Sequence, residues 1–206
     1  MELTIVSKNI DLIVWDNDGT ILGAVENGHA RREKVIMPRI EEVMLGHKGL
    51  NIICSGCKTE FSETFNFDPV RVINKFKTLM WRLPIEMAVF SPKIGGVECY
   101  VVINNDALRM VEVIEVHNDP RYKDWIGRFK KPDVGMFVVI RDLLEERLGA
   151  RIIAQNALMI GDSWQDERAA LDFGIPFLNA THVHANTVLH SALDKDHFFY
   201  KIPISS

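Results

Sequence analysis

Cysteine is scarce in this chain: three residues, Cys54, Cys57 and Cys99. So few, and an odd number, exclude a disulfide framework and point to a reducing compartment. Long apolar runs are also missing, since none approaches the roughly 20 residues that span a bilayer. The opening Met1-Glu2-Leu3-Thr4 lacks the basic-then-apolar layout of a signal peptide. Positive charge is not in excess either. A net charge of −4 gives no general attraction to nucleic acid or to an anionic membrane surface, so neither is expected as a partner. Repeats, linkers and low-complexity tracts are absent. Together these gaps lead to the expectation of a cytoplasmic protein, although export without a signal peptide would leave the same marks.

What remains is ordinary globular material. A chain of 206 residues with 47% hydrophobic content can bury one large core, and a single domain over 1–206 with a small insert near 93–130 is expected. Ile10 to Trp15, Asn51 to Cys54, Ile85 to Phe90, Leu158 to Ile160 and Ile175 to Leu178 read as short buried strands. Helical patterns follow Pro38 and Asp68-Pro69, run from Pro132 to Leu148, and fill Gln165 to Phe173. A polar stretch from Glu26 to Lys34 reads as loop. Cys99 to Ile103 and Leu108 to Val116 flank Asn104-Asn105-Asp106, a hairpin signal. Strand and helix alternate apart from that hairpin, which predicts an α/β fold: a three-layer, Rossmann-like parallel sheet with a small β-hairpin insert.

Four short segments carry the chemistry. They are Asp16-Asn17-Asp18-Gly19-Thr20, Ser55, Lys131-Pro132, and Gly161-Asp162 with Asp166 four residues on. Ligands of open parallel sheets bind beyond the carboxyl ends of the strands, so Asp16, Ser55 and Asp162 are expected in one crevice. Two carboxylates at i and i+2 on a turn can serve as nucleophile and general acid. Gly19 permits the tight path that this needs, and Thr20 is expected to bond back to the loop and hold Asp18. Asp16, Asp18, Asp162 and Asp166 would repel one another without a cation among them, and Mg²⁺ suits such a hard-oxygen site. Lys131 adds positive charge for phosphoryl oxygens, and Ser55 a neutral donor. Each segment alone reads as a turn or a helix start. Their order, each at a strand end or helix start, makes the set informative.

The set resembles the haloacid dehalogenase-like superfamily, whose four motifs match Trp15-Asp16-Asn17-Asp18-Gly19-Thr20, Ser55-Gly56, Lys131-Pro132 and Gly161-Asp162-Ser163-Trp164-Gln165-Asp166. The resemblance spans residues 10 to about 180. It implies a phosphatase in which Asp16 becomes an aspartyl-phosphate and Asp18 protonates the leaving oxygen, then activates water. It also implies Mg²⁺ on Asp16, the Asp18 carbonyl and Asp162, with Asp166 in support through water or Lys131. Dehalogenases of the superfamily lack an equivalent of Asp18, and its ion pumps carry a Lys-Thr-Gly-Thr sequence that is absent here. Asp16 to Ser55 leaves no room for a helical cap, so only the 93–130 hairpin could shade the site. An open site favours a phosphoprotein, with phosphotyrosine the first substrate to try. Small phosphomonoesters are the main alternative.

Other features have ordinary readings. Lys130 to Phe137 resembles the third motif of histidinol phosphatases and polynucleotide 3′-phosphatases. However, Cys99 and His117 are too few for the former's zinc loop, and the acidic net charge disfavours a polynucleotide. Cys54-Ser55-Gly56-Cys57 has redox spacing without thioredoxin-like context. His182, His184 and His190 read as a solvated face. The stretch Arg121 to Lys130 reads as a solvated helix face or a basic, aromatic rim for a phosphorylated substrate.

Overall fold

The structure, a computed structural model, describes residues 5–7, 10–26, 32–56, 69–94, 96–106, 110–152, 154–184 and 197–199. The first half of the chain runs β1 (Ile5–Ser7), β2 (Leu12–Trp15), β3 (Leu22–Glu26), β4 (Arg32–Ile36), α1 (Pro38–Gly46), β5 (Leu50–Ser55), α2 (Pro69–Arg82) and β6 (Met87–Phe90). It continues through β7 (Lys93–Ile94), β8 (Val97–Asn104), β9 (Val111–Glu115), α3 (Gly135–Arg147), β10 (Ala157–Gly161), α4 (Trp164–Phe173), β11 (Phe177–Asn179), α5 (Ala180–His184) and β12 (His197–Phe199).

The central strands are apolar without interruption because both their faces are covered. In β2, Ile13 and Trp15 enter one core with Ile53, Ala88, Phe90 and Ile160, under α1, α2 and α5. Leu12 and Val14 enter the other with Ile52, Cys54, Val89 and Met159, under α3 and α4. Strict alternation between two cores is what a three-layer α/β arrangement requires of a strand. The sheet order is β11–β10–β2–β5–β6–β8. The first five strands pair in parallel, and β8 runs antiparallel to β6. The expected hairpin is β8 with β9, paired antiparallel, and it extends the sheet edge.

Several expectations change. The stretch read as loop between 26 and 34 supplies the ends of a second hairpin, β3 with β4, whose register pairs Leu22 with Ile36 and Glu26 with Arg32. Its charged residues hid the pattern, because backbone pairing in a two-stranded ribbon does not need apolar alternation along the sequence. Helix α3 begins at Gly135, not at Pro132. The Gly135 and Met136 amides turn back to the Arg128 and Phe129 carbonyls at 3.3 and 3.2 Å, which delays the first helical turn. The stretch 121–130 is not a helix. A single turn of 3₁₀ helix at Lys123–Trp125 sits between Tyr122 and Phe129, which are buried around Tyr100. Arg121 pairs with Asp119 and Glu146, and Arg128 with Asp133. Pairing of β1 with β12 had no local signal. Asp68, the expected cap of α2, lies outside the described residues.

One buried polar chain braces the sheet beside the first motif. Trp15 Nε1 donates to Asn51 Oδ1 at 2.9 Å, and Asn51 Nδ2 donates to the Pro84 carbonyl at 3.1 Å. The His47 ring reaches the Ile10 carbonyl at 2.9 Å.

Candidate active site

Strand order puts the expected residues together. β10, β2 and β5 are neighbours, so Asp162 follows one, Asp16 the next, and Ser55 ends the third. The Asp16 amide donates to the Ile160 carbonyl at 2.9 Å, tying the start of the loop to β10. Beyond it the chain doubles back, with Gly19 N donating to Leu22 O and Leu22 N to Asn17 O, both at 2.9 Å.

Gly19 does more than turn. Its φ is +92°, and a Cβ there would lie 1.9 Å from Asp162 Oδ2, so the carboxylate packs directly on its α-carbon. Gly161 plays the same part for Asp166, whose Cβ would be 2.5 Å from an added Cβ. Two glycines therefore let two carboxylates close on the loop.

Lys131 is the hub. Its buried ammonium donates to Asp16 Oδ1 at 2.6 Å, to the Cys54 carbonyl at 3.0 Å and to Asp166 Oδ1. Asp166 is held in turn by a capping box at the start of α4: the Ser163 hydroxyl and amide both donate to its Oδ2. Asp16, Asp162 and Asp166 bring carboxylate oxygens within 4.8 Å of one another. Burial pushes the Asp16 carboxyl up to about 6; Lys131 offsets part of that, and Asp166 and Asp162 add to it. Burial alone would lower Lys131, but Asp16, Cys54 and Asp166 outweigh it and hold the amine protonated.

Asp18 sits apart from this buried knot. It is exposed, and its Oδ1 accepts from Lys75 Nζ at 2.9 Å. Nothing in the sequence marked Lys75, because one lysine on an amphipathic helix has no signature of its own. The expected tie from Thr20 is not made. Among the described residues its buried hydroxyl has no partner, and its carbonyl instead meets His184 Nε2 at 3.1 Å. That contact also corrects the reading of His184 as solvated; His190 lies outside the described residues. Ser55 is buried at the end of β5. The stems of Lys130 and Lys131 lie over the neighbouring Gly56, with 3.7 and 3.5 Å to a built Cβ.

Burial pushes the Cys54 thiol up to about 12, which disfavours the thiolate that redox exchange needs. Its sequence partner Cys57 lies outside the described residues. Cys99 and His117 do not join a metal-binding group: among the described residues the set at 16, 162 and 166 is the one cluster of ligating side chains found. No helix among them is long and apolar enough to cross a membrane.

No family model and no curated protein matches the chain. A solved structure does: a protein from Mesorhizobium loti assigned as a HAD-like phosphatase, with a TM-score of 0.51 over 99% of this chain and 94% of that one. The fold is HAD-like. At 14% identity the likeness concerns the fold, and the HAD-like frame accounts for where the four segments meet: at the carboxyl ends of β2, β5 and β10.

Proposed function

We propose that the chain is a Mg²⁺-dependent phosphomonoesterase working through an aspartyl-phosphate on Asp16. The observation that supports it is the convergence of the Asp16, Asp162 and Asp166 carboxylates, two of which, Asp16 and Asp166, also hold Lys131, with Asp18 two residues along on the open side. Three carboxylates against one ammonium leave two negative charges, which one divalent cation balances. Asp16, Asp18 through its backbone carbonyl, and Asp162 would hold Mg²⁺, with Asp166 in support through Lys131. When bound, the ion neutralises charge on the phosphoryl oxygens.

In the first step an Asp16 carboxylate oxygen attacks phosphorus and the ester P–O bond breaks. Asp18 gives its proton to the leaving oxygen. Lys131 and Ser55 donate to the phosphoryl oxygens and orient the group. In the second step Asp18 takes a proton from water as that water attacks phosphorus, and the Asp16–phosphorus bond breaks. Inorganic phosphate leaves and Asp16 is restored. The unit that carries this activity is the whole chain, 1–206, with 93–130 as its insert, and a cytoplasmic setting suits a chain with only three cysteines.

Exposure of Asp18 and Asp162 supports an open mouth that admits phosphotyrosine on a protein. A second reading, a small phosphomonoester, is favoured by Lys75 beside Asp18. The test is hydrolysis of p-nitrophenyl phosphate with Mg²⁺ or with EDTA, by wild type and by Asp16→Asn. Turnover should require Mg²⁺ and should vanish in Asp16→Asn while circular dichroism stays unchanged. Turnover by Asp16→Asn, after controls for deamidation, would remove Asp16 as nucleophile. Full activity in EDTA would remove the metal.

A further inference from the structure

Helix α2 brings a second ammonium to the site. Phe76 is buried and stacked on Phe90 at 4.9 Å between ring centroids, which fixes this turn of α2 against the sheet. The adjacent Lys75 reaches across to Asp18, with 32% of its side chain exposed against 47% for Asp18. An ion pair as open as this contributes little to stability, so its placement on the proposed acid calls for another explanation. To protonate a leaving group, Asp18 must come within hydrogen-bond reach of the ester oxygen. The ammonium that touches the same carboxylate therefore faces the leaving group, whereas Lys131 is bonded to Asp16 and Asp166.

We propose that Lys75 is a specificity-determining residue that selects phosphomonoesters bearing a carboxylate on the carbon attached to the ester oxygen. Such a carboxylate is two bonds from the ester oxygen, close enough to replace Asp18 as the partner of Lys75. The exchange releases the Asp18 carboxylate from its ammonium, so that it takes up a proton from solvent and turns toward the leaving oxygen. With a neutral substituent, Lys75 keeps Asp18, and the acid is held away from its task. The charge arrangement divides the labour: Lys131 serves the phosphoryl group and Lys75 the leaving group. This inference rests on the phosphomonoesterase reading and narrows its small-substrate form.

The experiment compares 2-phosphoglycerate with glycerol 2-phosphate, which differ by a carboxylate in place of a hydroxymethyl group. Wild type should prefer the former by about tenfold or more in kcat/KM, since one well-placed charge-assisted hydrogen bond is worth about that factor. Lys75→Met should erase most of the preference, by raising KM for 2-phosphoglycerate and, with Asp18 freed, raising kcat for glycerol 2-phosphate, and Lys75→Glu should invert it. Lys75→Arg should retain it, a rescue that a purely structural role would not show. Circular dichroism checks that each variant folds. Equal losses on both substrates, or no preference in wild type, would overturn the proposal. If wild type cleaves p-nitrophenyl phosphate but neither glycerol ester, this inference alone fails. If it cleaves none of the three, the phosphomonoesterase reading fails and takes the inference with it.

Discussion

Asp16 is burdened by its own surroundings. Burial raises its carboxyl to about 6 despite Lys131, against an ordinary aspartate near 4. A carboxyl raised on folding lends stability that is fully present below about pH 4 and lost as pH rises through about 6. The metal-free protein should therefore gain stability on acidification across that window. In EDTA, Asp16→Asn should be more stable than wild type by roughly 1–3 kcal/mol at pH 7.5, or a few degrees in Tm. The gap should close toward pH 4. Thermal melts at several pH values check this, and a constant gap would mean that Asp16 is not the titrating group.

Individual residues also show where sequence reading stops. Asp16, Ser55, Asp162 and Asp166 were legible as a set because each ends or follows a strand or lies in the first turn of a helix, and those positions in a parallel sheet converge; Lys131, four residues ahead of α3, was legible only through its Lys-Pro pair. The Ser163 capping box was equally legible, being a local pattern. Lys75 was not, because its meaning lies in a contact 57 residues away. Thr20 was misread for the same reason. Its hydroxyl is sealed by packing, which no local rule reports.

Among the elements, the hairpin of β8 and β9 is pinned by one carboxylate. Asp119 accepts from Tyr100 Oη at 2.8 Å and from the Arg121 amide and guanidinium at 2.9–3.1 Å. The Arg121 hydrogen bonds, with help from Tyr100, outweigh burial and hold its carboxyl down to about 2. A depressed carboxyl stabilises above its unfolded pKa, near 4, and loses that contribution as pH falls through about 2. Asp119→Asn should cost on the order of 2 kcal/mol at pH 7, and much less at pH 2–3. Urea unfolding at both pH values measures the difference. A cost that does not shrink in acid would assign the effect to packing around Tyr100.

The strands and helices that alternate in the sheet were readable because burial on two faces writes long apolar runs. The hairpin of β3 and β4 and the pairing of β1 with β12 were not. Both are backbone ladders whose side-chain sequence carries too little apolar alternation, and β1 and β12 join positions nearly two hundred residues apart.

For the whole molecule, the four segments are closed into one site by sheet order, and the acidic surplus at that site is set by the fold. A divalent ion that binds the folded form alone should raise global stability by mass action. At a hundredfold excess over Kd the gain is about 2.7 kcal/mol, or about 5–10 °C in Tm for a chain of this size. Differential scanning with Mg²⁺ should show the rise, and Asp162→Ala should remove most of it. Ca²⁺ should raise Tm while suppressing turnover, because its larger, looser shell misplaces nucleophile and phosphate. A Tm indifferent to Mg²⁺ would argue against the cluster as a cation site.

The buried indole that braces the sheet has an optical consequence. Of the four tryptophans, Trp15 is fully buried, whereas Trp81 and Trp164 are 72% and 64% exposed, and Trp125 is only partly covered. Acrylamide or iodide should quench the exposed pair and leave a blue-shifted residual emission dominated by Trp15, which Trp125→Phe would isolate. That emission comes from the residue preceding Asp16, with its ring nitrogen bonded to Asn51. The chain thus carries an intrinsic fluorophore one peptide bond from its proposed nucleophile, and the proposed phosphorylation of Asp16 should change that emission on adding substrate, without any label.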